Sequence, residues 1–298
     1  MEYEMKCILC GLNPPIKNSH VVPKFVLKRL KERNPLRILK YSDRPQKTYQ
    51  DGWKKGYLCS QCEQKLSSWE TYFCSNIYDP FIDCEKEEFI LNDTIALFSA
   101  SLHFRYIKYV FDVNTAKDLS EVLPLFYKLK AICLNDSYKD QGLYQYINLL
   151  HPVTELGLYP PGINTYFFES IDGAVFDWIF PKIGKKWMNF VKIPHVLFIL
   201  SEIDLGDALN QSESFSKNII PNTGKLSSKA NNEDLLLFVA QRMKEKAIEI
   251  QSNYSKISEN QMNKIIEKIN SDPNKESTRA YRSYMLDAKL LKKFSENA

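Results

Sequence analysis

No apolar run in the sequence approaches the ~20 residues needed to span a bilayer. The densest, around Phe89–Leu102, is broken by Asn92, Asp93 and Ser99. The opening Met-Glu-Tyr-Glu-Met-Lys-Cys has no apolar h-region and does not read as a secretion signal. A Gly-rich phosphate loop is missing, which argues against P-loop chemistry. So is a G-x-S-x-G elbow, which argues against an α/β-hydrolase nucleophile. There is no internal repeat. Cysteine is sparse, 7 in 298 residues, and without a leader a disulfide framework is disfavoured. These absences lead to the expectation of a cytoplasmic protein with reduced thiols and no membrane partner.

The length, 298 residues, suits one large domain or two smaller ones. Hydrophobic residues make up 44% and aromatics 13%, enough for a sizeable core and unlike a disordered chain. The net charge of +4 is unevenly spread. Residues 1–70 carry 14 Lys+Arg against 7 Asp+Glu, a balance of +7, which leaves −3 for the rest. A basic module on a near-neutral body suggests an anionic partner for the module, although a solvated lysine-rich face gives the same numbers.

Four of the cysteines form two identical pairs, Cys7-Ile-Leu-Cys10 and Cys59-Ser-Gln-Cys62. Each C-x-x-C can place two sulfurs on one metal without strain, and two pairs complete a tetrahedron of thiolates around zinc. A redox C-x-x-C needs only one pair. Cys74, Cys84 and Cys133 read as small core residues.

The rest of the chain reads as α+β. Residues 5–25 suggest a zinc knuckle followed by a short β-hairpin, with Asn13-Pro-Pro15 as a turn and His20-Val-Val as strand. Phe25–Arg33 has helical spacing, with Phe25, Val26 and Leu30 opposed to Lys24, Lys28, Arg29 and Lys31. Leu36, Ile38 and Leu39 suggest a strand, and Gln50-Asp-Gly52 a turn. The second cysteine pair opens a helix whose apolar stripe is Leu66, Trp69 and Phe73. Helices are further expected at Asp93–Phe111, Lys117–Leu134, Asn232–Gln251, Glu259–Asn270 and Ser277–Phe294. A hairpin is expected from Thr165–Glu169 and Ala174–Trp178, and strands within Trp187–Leu200. Residues 210–232 are rich in Ser, Asn and Lys and suggest a flexible linker. The expected division is a zinc module at 1–75 and a largely helical body at 76–298 with a small central antiparallel sheet.

Knuckle, hairpin and a helix starting at the second cysteine pair form the treble-clef arrangement, and the residues resemble the zinc-bearing HNH nucleases. The resemblance rests on Cys7-x-x-Cys10, Ser19-His20-Val-Val-Pro23 and Leu58-Cys59-x-x-Cys62-Glu63-Gln64-Lys65, about the first quarter of the chain. It implies zinc on Cys7, Cys10, Cys59 and Cys62, and a divalent-metal-dependent endonuclease using Mg²⁺ or Mn²⁺. His20 would be the general base, with Glu63 and Asp51 as ligands of the catalytic ion. It also implies a nucleic-acid partner, DNA in preference to RNA, met by Lys24, Lys28, Arg29, Lys31 and Arg33. Family roles in restriction, mobile elements or anti-phage defence would leave the body to recognise a protein partner or trigger. The chain departs from the family pattern at three places. Ser19 stands where the family has a metal-binding Asp or His, Glu63 where it has His or Asn, and Lys54 where it commonly has Asn.

The plainer alternatives stay open at this level. His20 could hydrogen-bond across the module or replace a cysteine on zinc. Asp51 before Gly52 could form a turn, and Glu63 could serve the helix macrodipole. Trp53, Trp69 and Tyr72 could stack bases, though Trp69 has core spacing. His103, His151 and His195 build no second metal motif, and His195 reads as a core histidine within a strand. The module could also bind nucleic acid or protein without catalysis, or the body could be the enzyme.

Overall fold

A computed structural model describes residues 5–33, 39–41, 44–83, 85–86, 88–113, 120–138, 142–149, 176–183, 186–204, 219–220, 225–227, 233–254 and 256–273. In chain order the elements are β1 (Ser19–His20), α1 (Lys24–Arg33), β2 (Leu39–Tyr41), β3 (Arg44–Tyr49), β4 (Lys54–Lys55) and α2 (Ser60–Phe73). A π-turn (Cys74–Tyr78) leads into α3 (Asp79–Ile82), β5 (Glu88–Ile90) and α4 (Asp93–Val113). A 3₁₀ turn (Ser120–Val122) precedes α5 (Leu123–Asn135), β6 (Tyr144–Leu149), β7 (Phe176–Ile183), β8 (Lys186–Ile193) and β9 (Val196–Ser201). The last are β10 (Ile219–Ile220), β11 (Lys225–Ser227), α6 (Glu233–Tyr254) and α7 (Glu259–Ser271). The chain is α+β, and among the described residues no helix is long and apolar enough to cross a membrane.

Two compact units share the chain. The first comprises Met1–Pro23, Trp53–Leu150 and Phe176–Glu233, the second Lys24–Gly52, His151–Val175 and Asp234–Ala298. In the first, an antiparallel sheet of order β10-β6-β9-β8-β7 packs against α4. Asn92 caps α4 by accepting from the Ile95 N–H at 3.2 Å, as Asn does at a helix start. Every residue from Ile95 to Ile107 is buried, because α2, α5 and the sheet all pack on this helix. Phe73 of α2, Phe98 of α4 and Phe198 of β9 form the shared core, with Phe73 and Phe98 stacked at 4.5 Å.

Local chemistry explains the sheet's irregularities. Pro181 cannot donate to a ladder, and the β7–β8 register shifts between Phe180 and Ile183, on the strand at the sheet's edge. The β8–β9 connection is the pair Pro194-His195, because Ile193 already faces Val196. Pro followed by a residue with positive φ is what a type II turn requires, and His195 has φ 62°. His195 is therefore buried, as expected, but in a turn and not within a strand.

In the second unit, α1 buries Val26 and Leu27, while Phe25 and Leu30 are half-buried. Gly52 lies close against this packing, and a Cβ there would come within 2.7 Å of the Leu27 methyls, which would have to shift. β2 and β3 pair antiparallel, and Gln261 of α7 donates to the Gln46 carbonyl at 2.9 Å.

Several expectations shift. The hairpin expected within residues 5–25 is instead β1 paired with β4, from residues 54–55. α1, β2 and β3 are inserted between its arms, and local patterning does not report a partner across such an insertion. Of residues 210–232, those described are 219–220, which form β10 and pair with β6, and 225–227, which form β11 and pair with β5. Thr165–Glu169 and Ser277–Phe294 lie outside the described residues, and β7 pairs with β8.

Candidate metal centre

The first cysteine pair sits on a tight turn. Gly11 donates to the Cys7 carbonyl at 2.8 Å and takes φ 71°, a conformation that favours glycine. The Cys7 N–H returns to the Asn13 carbonyl at 2.8 Å. Two backbone bonds then tie this knuckle to the residues leading into α2: Ile8 N–H to the Tyr57 carbonyl and Ile16 N–H to the Leu58 carbonyl, both at 2.8 Å. Cys59 is the N-cap of α2 and Cys62 lies in its first turn, so these bonds carry one pair onto the other.

The four sulfurs lie within 4.8 Å of one another. The Cys10 and Cys59 sulfurs are 3.8 Å apart, far too long for a disulfide. A tetrahedron with Zn–S bonds of about 2.3 Å has edges of about 3.8 Å. Cys7, Cys59 and Cys62 are buried and Cys10 half-buried, all as free thiols. The set fits a metal ion such as zinc in a closed, four-coordinate site. Burial raises the Cys10 thiol pKa, but hydrogen bonds from the Asn13 and Leu12 backbone and from Cys7 and Cys59 together bring it down to about 6. Burial pushes the Cys62 thiol up. Zinc takes cysteine as the thiolate, so metal binding at such a site is coupled to release of the thiol protons.

Beside this cluster lies β1. Ser19 pairs with Lys55 and His20 with Lys54 across the ladder, and Val21 N–H donates to the Trp53 carbonyl at 3.0 Å. Ser19 is fully buried, and its hydroxyl donates to the Glu63 carboxylate of α2 at 2.7 Å. His20 is 6% exposed. Its carbonyl accepts from Arg105 Nη1 of α4 at 3.2 Å, and the same nitrogen pairs with Glu70 of α2 at 2.6 Å. Sequence reasoning missed Ser19, Glu70 and Arg105 as participants. The signals were an arginine inside an otherwise apolar helix and a second glutamate seven residues after Glu63, near the same helix face.

The other candidates have the following surroundings. Asp51 belongs to the second unit, where its carboxylate accepts from the Gly52 N–H at 2.9 Å as a turn former does. Lys24, Lys28, Arg29, Lys31 and Arg33 are all on α1 of that unit. Lys28 and Arg29 reach Glu32 at 3.8 and 4.0 Å, and Lys31 donates to the Gln50 carbonyl at 3.3 Å. Trp69 is buried, Trp53 stacks on Tyr109 at 4.6 Å, and the Tyr72 hydroxyl accepts from Asn92 at 2.6 Å. Cys133 is buried, Cys74 is half-buried and donates to Asp79, and Cys84 and His151 lie outside the described residues. His103 is buried against Asn189. No family model, curated protein or solved structure matches the chain.

Proposed function

We propose that the chain is an HNH-like zinc protein that cleaves nucleic acid, DNA in preference to RNA, with the help of a divalent cation. The observation that carries this reading is the Ser19–Glu63 hydrogen bond at 2.7 Å, which sets a carboxylate of α2 against the strand bearing His20. The reading is supported by a cysteine knuckle, a two-stranded β1–β4 ladder and a helix opened by the second cysteine pair, in that chain order. In this reading the thiolate site holds the module together. Glu63, with the Ser19 hydroxyl beside it, offers hard oxygens that suit Mg²⁺ or Mn²⁺, an ion that commonly completes its shell with water and phosphate. Such an ion, when bound, neutralises charge on the phosphate and the leaving oxygen. His20 accepts the proton of the attacking water, and the α1 cations meet the phosphate backbone. The sheet-bearing body would recognise a protein partner or trigger, in a defence or mobile-element setting.

A second reading is favoured by the burial of this strand. Ser19 is fully buried and His20 only 6% exposed, as expected of a non-catalytic zinc module that binds nucleic acid or protein. One assay separates the two. Plasmid DNA and a structured RNA are incubated with Mg²⁺, Mn²⁺ or chelator, using the full chain, His20→Ala and Glu63→Gln, each with a thermal melt and a zinc assay. The nuclease reading expects metal-dependent cleavage, a loss of about 10²-fold or more on His20→Ala, and impaired cleavage with zinc retained on Glu63→Gln. Full cleavage by a normally melting His20→Ala would end it.

A further inference from the structure

The strand carrying His20 is gripped at two successive residues by the same helix. Ser19 reaches Glu63 through its side chain. His20 reaches Glu70 through its carbonyl, by way of Arg105. Glu63 and Glu70 are seven residues apart, two turns of α2, so both carboxylates rise from nearly one helix face. Arg105 is 2% exposed and Glu70 15%. Arg105 is also anchored to its own helix, where Nε donates to the Ser101 carbonyl at 3.2 Å.

Burying a guanidinium costs much solvation, which an ion pair offsets only where its geometry is good and further hydrogen bonds are made. Here the nitrogen that meets the anion also donates to a backbone carbonyl of a two-residue strand. β1 is two residues long and pairs with an equally short β4, and so short a pairing is weak alone. The planar fork of Arg105 ties this strand to both α2 and α4. Lysine, a point charge without a fixed fork, does not reproduce that geometry.

We infer that Arg105 is a positioning residue for His20: with Glu70 it fixes the β1 backbone, and so the direction in which the imidazole is presented. For its kinetic consequence this rests on the nuclease reading; for its structural consequence it does not. The test uses the full zinc-loaded chain as wild type, Arg105→Lys, Glu70→Gln and the double variant. Hydrogen exchange is followed at the Val21 amide, whose bond to Trp53 reports the seating of β1. Cleavage is measured at saturating Mn²⁺, alongside zinc content and thermal melts.

We expect Val21 exchange to quicken by about tenfold or more in each single variant with zinc retained. Cleavage should lose about tenfold in kcat, with KM within about twofold. The double variant should be no worse than the poorer single one, because both changes break one linkage. Should Arg105→Lys fail to fold, Glu70→Gln decides the matter, since it keeps the cation and removes only its partner. Unchanged exchange at Val21 in a folded variant overturns the inference, and so does faster exchange with unchanged kcat. If the wild type cleaves nothing under any metal, the nuclease reading falls, and the Val21 exchange alone judges the placement of β1.

Discussion

At the residue scale, His103 shows how burial converts a side chain into a pH dependence. It is fully buried in α4, with its Nδ1 against the Asn189 side chain of β8. Burial pushes the imidazole down to about 4 from an ordinary 6.5, and the Asn189 bond opposes this only in part. Its folded pKa is thus below its unfolded one. The neutral ring contributes stability that is present above the unfolded value and is lost as pH falls through 6.5 toward 4. Between pH 7 and pH 5 this one group should lower the unfolding free energy by about 2 kcal/mol. Urea midpoints at the two pH values, for wild type and His103→Gln, test this. The variant should lose less stability on acidification, and an identical slope would show that His103 is not the titrating group.

At the element scale, the knuckle and α2 meet at a four-cysteine cluster that fits a metal ion. Two backbone bonds and four sulfurs meet where the tight turn at Cys7–Gly11 docks on the residues leading into α2. Metal-binding free energy at such a site is folding free energy. Purified protein should carry about one zinc per chain. Cys59→Ser should abolish zinc retention and unfold residues 5–23 and the start of α2, seen as lost amide protection there. The aromatic core of Phe73, Phe98 and Phe198 should hold the far end of α2 in place. Metal analysis of chelator-free protein that finds no zinc would contradict this.

At the scale of the whole molecule, charge is the property to test. The balance of residues 1–70 is +7 against −3 elsewhere, and the proposed nucleic-acid partner should therefore be met by the N-terminal residues. Binding to DNA or RNA should weaken steeply with salt, because cations that contact phosphates release condensed counterions. Replacing Lys28, Arg29, Lys31 and Arg33 together with Gln should flatten the plot of log affinity against log salt. Affinity titrations between 50 and 200 mM salt, about the range over which such slopes are read, decide it. Salt-independent binding, or none at low salt, would shift the module toward protein recognition.

The sequence by itself determined whatever local chemistry dictates. Two C-x-x-C pairs specify thiolate donors wherever the chain brings them, and the four sulfurs do meet. Asn92 before an apolar run announces α4, and the spacing of Leu66, Trp69 and Phe73 announces the buried stripe of α2. Pairings over long separations were decided only by the tertiary structure. β1 finds β4 across an inserted helix and hairpin, because the ladder is formed by two residues on each side that carry no alternating pattern. β10 and β11 arise in a polar segment that resembles a linker, because strands this short are ordered by the neighbours they join. The linkage from Glu70 through Arg105 to the His20 carbonyl spans 85 residues between its farthest members. An ion pair in a core leaves only an unexplained charge in the sequence, and its partner is set by packing.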